Sequence, residues 1–160
     1  MSKIEESIDV MVPVHTAYSQ WTQFEEFPRF MEGVEEVRQL DDTKLHWRAK
    51  VAGKEREWDA KITEQKPDDR IAWESIDGAP NGGVVTFHTL EGDTARVMLQ
   101  LEFEPEGVVE KTGDALGMVK SRTKGDLGRF KEYVEKRVAE TGTETGAWRG
   151  EVEQGATKPA

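Results

Sequence analysis

Three tryptophans carry the clearest chemical signal in this chain. Trp47, Trp58 and Trp73 each fall in a segment of alternating apolar and polar residues, on the apolar parity. An enclosed aromatic side chain buries roughly 150–250 Å². Three on inward faces make either plain core or flat walls for a ligand. Carboxylates are numerous, but almost all sit on polar parities. Glu6 is the exception, sharing its parity with Ile8 and Val10. Desolvation there would raise its pKa, which suits a general acid or base. No catalytic residue is assigned: Glu6 is only a weak candidate, and the simpler reading, a solvated residue near a strand end, is preferred.

Other chemistries find little support. His15, His46 and His88 lie in separate elements and would have to converge to hold a metal. No His-Glu-x-x-His, phosphate loop or dinucleotide fingerprint occurs. The pair Gly82-Gly83 precedes a strand rather than a helix, so it cradles no phosphate. There is no cysteine, which excludes disulfides, thiolate zinc sites and cysteine nucleophiles. Neither a metal nor a cofactor is expected.

The chain has 160 residues, the size of one domain able to bury its own core. Its formal net charge of -10 repels phosphate backbones and anionic membranes, so nucleic acid is not an expected partner. No apolar run approaches the roughly 20 residues that cross a bilayer. The first residues lack the basic and apolar regions of a signal peptide. A cytoplasmic, soluble protein without membrane insertion is expected, its oligomeric state open.

The elements that must position the tryptophans are legible from periodicity. Residues 4–12 alternate as a half-buried strand, which Pro13 ends. Residues 14–22 read as a short helix with Ala17, Tyr18 and Trp21 on one side. A second short helix covers Phe24, Phe27, Phe30 and Met31, kinked by Pro28 and ended by Gly33. Strand-like segments then cover 34–40, 44–51, 55–65, 70–76, 84–90 and 94–104, with residues 77–83 read as a loop. Arg48, Arg56 and Arg96 are placed outward. From Leu116 to Val138 the period becomes helical, through Val119, Thr123, Leu127, Phe130 and Val134. Lys120, Arg122, Lys124 and Asp126 are assigned to its polar faces. Gly113, Gly117, Gly125 and Gly128 weaken this helix, as if to bend it or admit something bulky. Residues 141–160 turn to Gly, Thr, Glu and Pro and read as a flexible tail behind a domain of residues 1–140. Trp148 interrupts that tail.

The order predicts an α+β fold, an antiparallel seven-stranded curved sheet around a long C-terminal helix, with two short helices after strand 1. The segments SIDVMVPVHTAYSQW (7–21), FPRFMEGV (27–34), RIAWES (70–75) and TARVML (94–99) resemble the polyketide cyclase/dehydrase-like group of the START-like, or SRPBCC, superfamily. Coenzyme Q-binding START-domain proteins are similar too. The resemblance covers about residues 3–138 and implies the helix-grip fold. Members include aromatase/cyclases, lipid and quinone carriers and hormone receptors, so fold does not select an activity.

The expected function is binding of an apolar small molecule, such as a lipid, a quinone or a polyketide-like aromatic, between sheet and helix. The expected walls are Phe30, Met31, Trp47, Trp58, Trp73, Phe87, Leu99, Leu101, Leu116 and Val119, with Lys120 at the mouth. The inward faces read as nearly all apolar, whereas a cyclase would need a polar cluster inside. A polyketide cyclase/dehydrase-type enzyme and an interaction or stress-response module with a filled core are the alternatives.

Overall fold

The computed structural model describes residues 2–51, 53–78, 80–103, 113–141, 152–153 and 156–157, and for 2, 51, 113–116, 140–141, 152–153 and 156–157 the backbone alone. Strand β1 (Ser2–Val10) leads into helix α1 (Val14–Trp21), where Pro13 stands at the N-cap with φ −60°. Proline suits that place, because its fixed φ is already close to the helical value. A 3-10 helix follows at Phe24–Arg29 and contains Pro28. Gly33, at φ +85°, turns the chain into β2 (Val34–Gln39). A side chain would be strained at that φ.

A meander follows: β3 (Lys44–Val51), β4 (Lys54–Lys66), β5 (Arg70–Ser75), β6 (Asn81–Thr89) and β7 (Ala95–Phe103). The sheet order is β1-β7-β6-β5-β4-β3-β2, so the first two strands of the chain lie at opposite ends. All pairings are antiparallel. Bulges at Val34/Glu36 and Ile62/Glu64 interrupt the register, and such bulges bend a sheet. The sheet curls against α2 (Gly113–Thr141), which packs on β1. This is the expected architecture. The short strands β8 (Val152–Glu153) and β9 (Ala156–Thr157) pair with each other, and Val152 pairs with Gln65 of β4. The rest of the expected tail, Trp148 included, lies outside the described residues.

Two strands differ from the periodicity: β1 runs from Ser2 to Val10 rather than over 4–12, and β6 starts early. β6 begins at Asn81, so Gly82 and Gly83 belong to the ladder rather than to a loop. They pair with Glu74 and Trp73 on one side and with Glu102 and Leu101 on the other. Glycine in a strand marks a close approach, and here the neighbour is the ring of Trp73.

An aromatic cluster fills one end of the fold. Trp21 stands at its centre, with ring centroids 5.0 Å from Phe130, 5.5 Å from Phe27, 6.1 Å from Phe30 and 6.4 Å from Phe87. Tyr18 meets Phe87 edge-on at 5.5 Å. These side chains are almost wholly buried. Along β7 the inward residues Ala95, Val97 and Leu99 are buried, whereas Leu101 and Phe103 are only partly so. The packing opens toward that end of the strand.

Candidate functional site

Where the packing opens, sheet and α2 enclose a cavity of about 590 Å³. That lies within the usual range for small-molecule sites. A wholly filled core is therefore not what this chain builds. Seven of the residues expected to line a ligand do line this space: Met31, Trp47, Trp58, Trp73, Leu99, Leu101 and Val119. Trp47 and Trp58 are direct cross-strand partners and stack with planes 3° apart. Phe27 closes on Trp47 at 5.6 Å between ring centroids. Trp73 faces Gly83 across β5 and β6. A β-carbon on Gly83 would stand 2.8 Å from its ring. The absent side chain makes room for the indole to form a wall.

The other expected residues fall elsewhere. Phe30 and Phe87 lie in the aromatic cluster, not on the cavity. Alternation gives a strand residue its face but not its depth. Phe87 is on the face of Gly83 yet four residues on, about 13 Å along the strand. Lys120 is largely exposed, with Nζ 4.0 Å from Glu6 Oε1. Neither of those two lines the cavity. Glu6 instead pairs across the ladder with Leu99. The side chain of Leu116 is outside those described.

The inward faces are also less apolar than periodicity suggested. Arg56, placed outward above, lines the cavity. It sits two residues before Trp58 and so shares its parity. On α2 the lining residues are Val119, Arg122, Thr123, Asp126 and Leu127. They follow the three- and four-residue steps of one helical stripe, and assigning Arg122 and Asp126 to the polar side overlooked that spacing. Of the helix glycines, Gly113 is described by its backbone alone; a β-carbon on Gly117 or Gly128 would meet nothing within 4 Å, and the atoms nearest to one on Gly125 are those of the Arg129 guanidinium.

Asp126 and Arg129 fasten α2 to the segment that follows the 3-10 helix. The Asp126 carboxylate accepts the Glu32 backbone N–H at 2.9 Å and a short hydrogen bond from Arg129. Arg129 Nε donates to the Phe30 carbonyl at 2.9 Å. Burial pushes the Asp126 carboxyl above its ordinary value, against the pull of these donors. Arg122 Nη1 reaches the Lys50 carbonyl at 3.4 Å. Thr123 returns its hydroxyl to the Val119 carbonyl at 2.8 Å.

The histidines are apart from one another and from the cavity. His15 Nδ1 lies 2.9 Å from Asp68, His46 bridges Asp59 and Glu57, and His88 meets Thr86. Among the described residues no group of three His, Cys, Asp or Glu side chains is placed to hold a metal ion. Nor is any described helix long and apolar enough to cross a membrane.

Comparison with known proteins adds four results. A family model described as "Polyketide cyclase / dehydrase and lipid transport" matches residues 10–132. An uncharacterized 17.2 kDa protein from the melC2-rnhH intergenic region of Streptomyces lincolnensis is 59% identical over 153 residues, covering 95% of this chain and 99% of the relative. Among solved structures, the ZhuI aromatase/cyclase of Streptomyces sp. R1128 superposes with a TM-score of 0.74 at 16% identity, covering 86% of this chain and 95% of that one. A START superfamily protein of Mycobacterium smegmatis does so with a TM-score of 0.65 at 15% identity, covering 86% and 97%. At such identities the likeness is one of fold.

Proposed function

Because the chain belongs to the polyketide cyclase/dehydrase and lipid transport family, we propose that it is a carrier for an apolar small molecule held between sheet and α2. A lipid, a quinone or a polyketide-like aromatic fits the description. The observation that carries this reading is the cavity of about 590 Å³ walled by Trp47, Trp58 and Trp73. Burying apolar ligand surface there gains roughly 25 cal/mol per Å² before the costs of association. Met31, Leu99, Leu101 and Val119 complete the proposed contacts. Entry needs only a local opening, and the segment after the 3-10 helix and the turn before β6 border the space. On this reading the protein works in the cytoplasm.

Native mass spectrometry of freshly purified protein, followed by organic extraction, tests the proposal. A bound compound of stoichiometric mass is expected. An apo mass, together with no uptake of an uncharged naphthalene probe, overturns it.

A cyclase/dehydrase-type enzyme is the second reading, favoured by one observation. Asp126 is a carboxyl on the cavity wall whose pKa burial raises above the ordinary carboxylate value, the direction that favours proton exchange with a bound molecule. It requires that Asp126→Asn still capture the ligand but no longer convert it. The mass of the extracted compound decides.

A further inference from the structure

Four carboxylates line the cavity, and each has a basic side chain other than Arg122 within 4.0 Å, Arg129 being shared by two of them. Arg129 serves both Asp126 and Glu32, the latter at 3.6 Å. His46 takes Glu57 at 3.3 Å, and Lys3 takes Glu102 at 3.3 Å. Arg122 is left differently. It is half-buried in the wall, and among the described residues no carboxylate oxygen lies within 4.0 Å of its nitrogens; the Asp126 carboxylate, one turn on, feels its charge only from farther away. Among the described residues its hydrogen bonding amounts to one contact of 3.4 Å with a backbone carbonyl, out of five N–H donors. An anionic group of a ligand could complete this guanidinium with charge-assisted hydrogen bonds.

The fold makes a place for that group. A β-carbon on Gly33 would stand 3.1 Å from Arg122 Nη1, so the guanidinium lies over a glycine. The adjoining Val34 pairs with Ala49, and Ala49 with Arg56. Trp47 and Trp58 form the next pair on the same face, about 7 Å along the strands. One flat molecule can thus lie on the indole stack and end at Arg122.

We infer that the ligand is a planar apolar molecule with an anionic end, and that Arg122 selects for the anion. This rests on the carrier reading and sharpens it.

Anilinonaphthalene sulfonate and its uncharged parent, phenylnaphthylamine, share one aromatic skeleton and differ by the sulfonate. Fluorescence titration of both, at low salt, separates the two claims. The sulfonate binds about tenfold or more tighter to the natural protein, as a charge-assisted contact implies. Arg122→Gln lowers the affinity for the sulfonate far more than that for the parent and so removes the advantage, while Arg122→Lys keeps part of it. Equal affinities of the two probes for the natural protein overturn the inference but leave the carrier reading standing, and do so even if Arg122→Gln fails to fold. Equal loss of both probes in a folded Arg122→Gln also overturns it, since the arginine would then act on packing. Failure of both probes with the natural protein overturns the carrier reading as well.

Discussion

The indole planes of Trp47 and Trp58 lie within 3° of parallel, with centroids 5.9 Å apart, on adjacent strands at the cavity wall. Stacked aromatic pairs contribute about 0.5–1.5 kcal/mol beyond the area they bury. Trp58 is only partly buried, because one side faces the open space. Trp58→Ala is therefore expected to weaken phenylnaphthylamine binding by about tenfold. Phe87→Ala, within the filled cluster, is expected to cost about 3–5 kcal/mol of stability with little change in probe affinity once folded. Urea unfolding and probe titration on both variants check the contrast.

Gly83 is the position least able to accept a side chain. Its β-carbon would stand 2.5 Å from the Gln100 carbonyl and 2.8 Å from the Trp73 ring. The carbonyl belongs to a paired strand and cannot yield cheaply. Gly83→Ala is expected to destabilise by about 1–3 kcal/mol, as overpacking does, and to displace Trp73 from the wall. A shift in tryptophan emission together with a lower urea midpoint would confirm it; an unchanged midpoint would refute it.

Much of this architecture was legible from residue order. Hairpin signals and strict alternation located six of the seven principal strands closely, because each has one wet face. β6 began earlier than expected, since glycines break an apolar pattern without breaking the ladder. Parity also found the three tryptophans. It did not separate cavity wall from packed core, as Phe87 and Trp73 show, because depth depends on where curled sheet and helix diverge. Arg122 and Asp126 were missed for a different reason. They occupy the inward stripe of α2 at regular spacing from Val119, but their charge argued for solvent. Two of their partners, Lys50 and Glu32, are distant in sequence.

The helix glycines give the opposite expectation from Gly83. Nothing lies within 4 Å of a β-carbon on Gly117 or Gly128. Alanine there restricts the unfolded chain and favours helix at no steric cost. Gly128→Ala is expected to stabilise the protein by about 0.5–1 kcal/mol, read as a higher urea midpoint with an unchanged m-value. A drop in stability would mean that α2 needs this flexibility.

His46 couples stability to pH near neutrality. The hydrogen bond to Asp59, followed by that to Glu57, raises its pKa above the ordinary 6.5. The folded protein therefore holds this proton more tightly than the unfolded chain. The resulting stabilisation is complete below 6.5 and is lost as pH rises through the folded pKa. Urea unfolding from pH 6 to 9 is expected to show a decline that His46→Gln lacks. Parallel profiles would rule the coupling out.

Asp126 gives a decline of the same sign at lower pH. Burial raises its pKa above 3.8, in spite of the Glu32 N–H and Arg129. The folded state then binds the proton more tightly than the unfolded state. The contribution of this group is greatest below 3.8 and falls as pH rises through its folded value. The stability of the natural protein minus that of Asp126→Asn is expected to decrease over that interval. The asparagine oxygen can still accept the Glu32 N–H, so the fastening of α2 to the segment after the 3-10 helix largely survives. If the difference instead grows with pH, the donors around Asp126 outweigh its burial, and the carboxylate is a fixed anion rather than a group able to exchange a proton with a bound molecule.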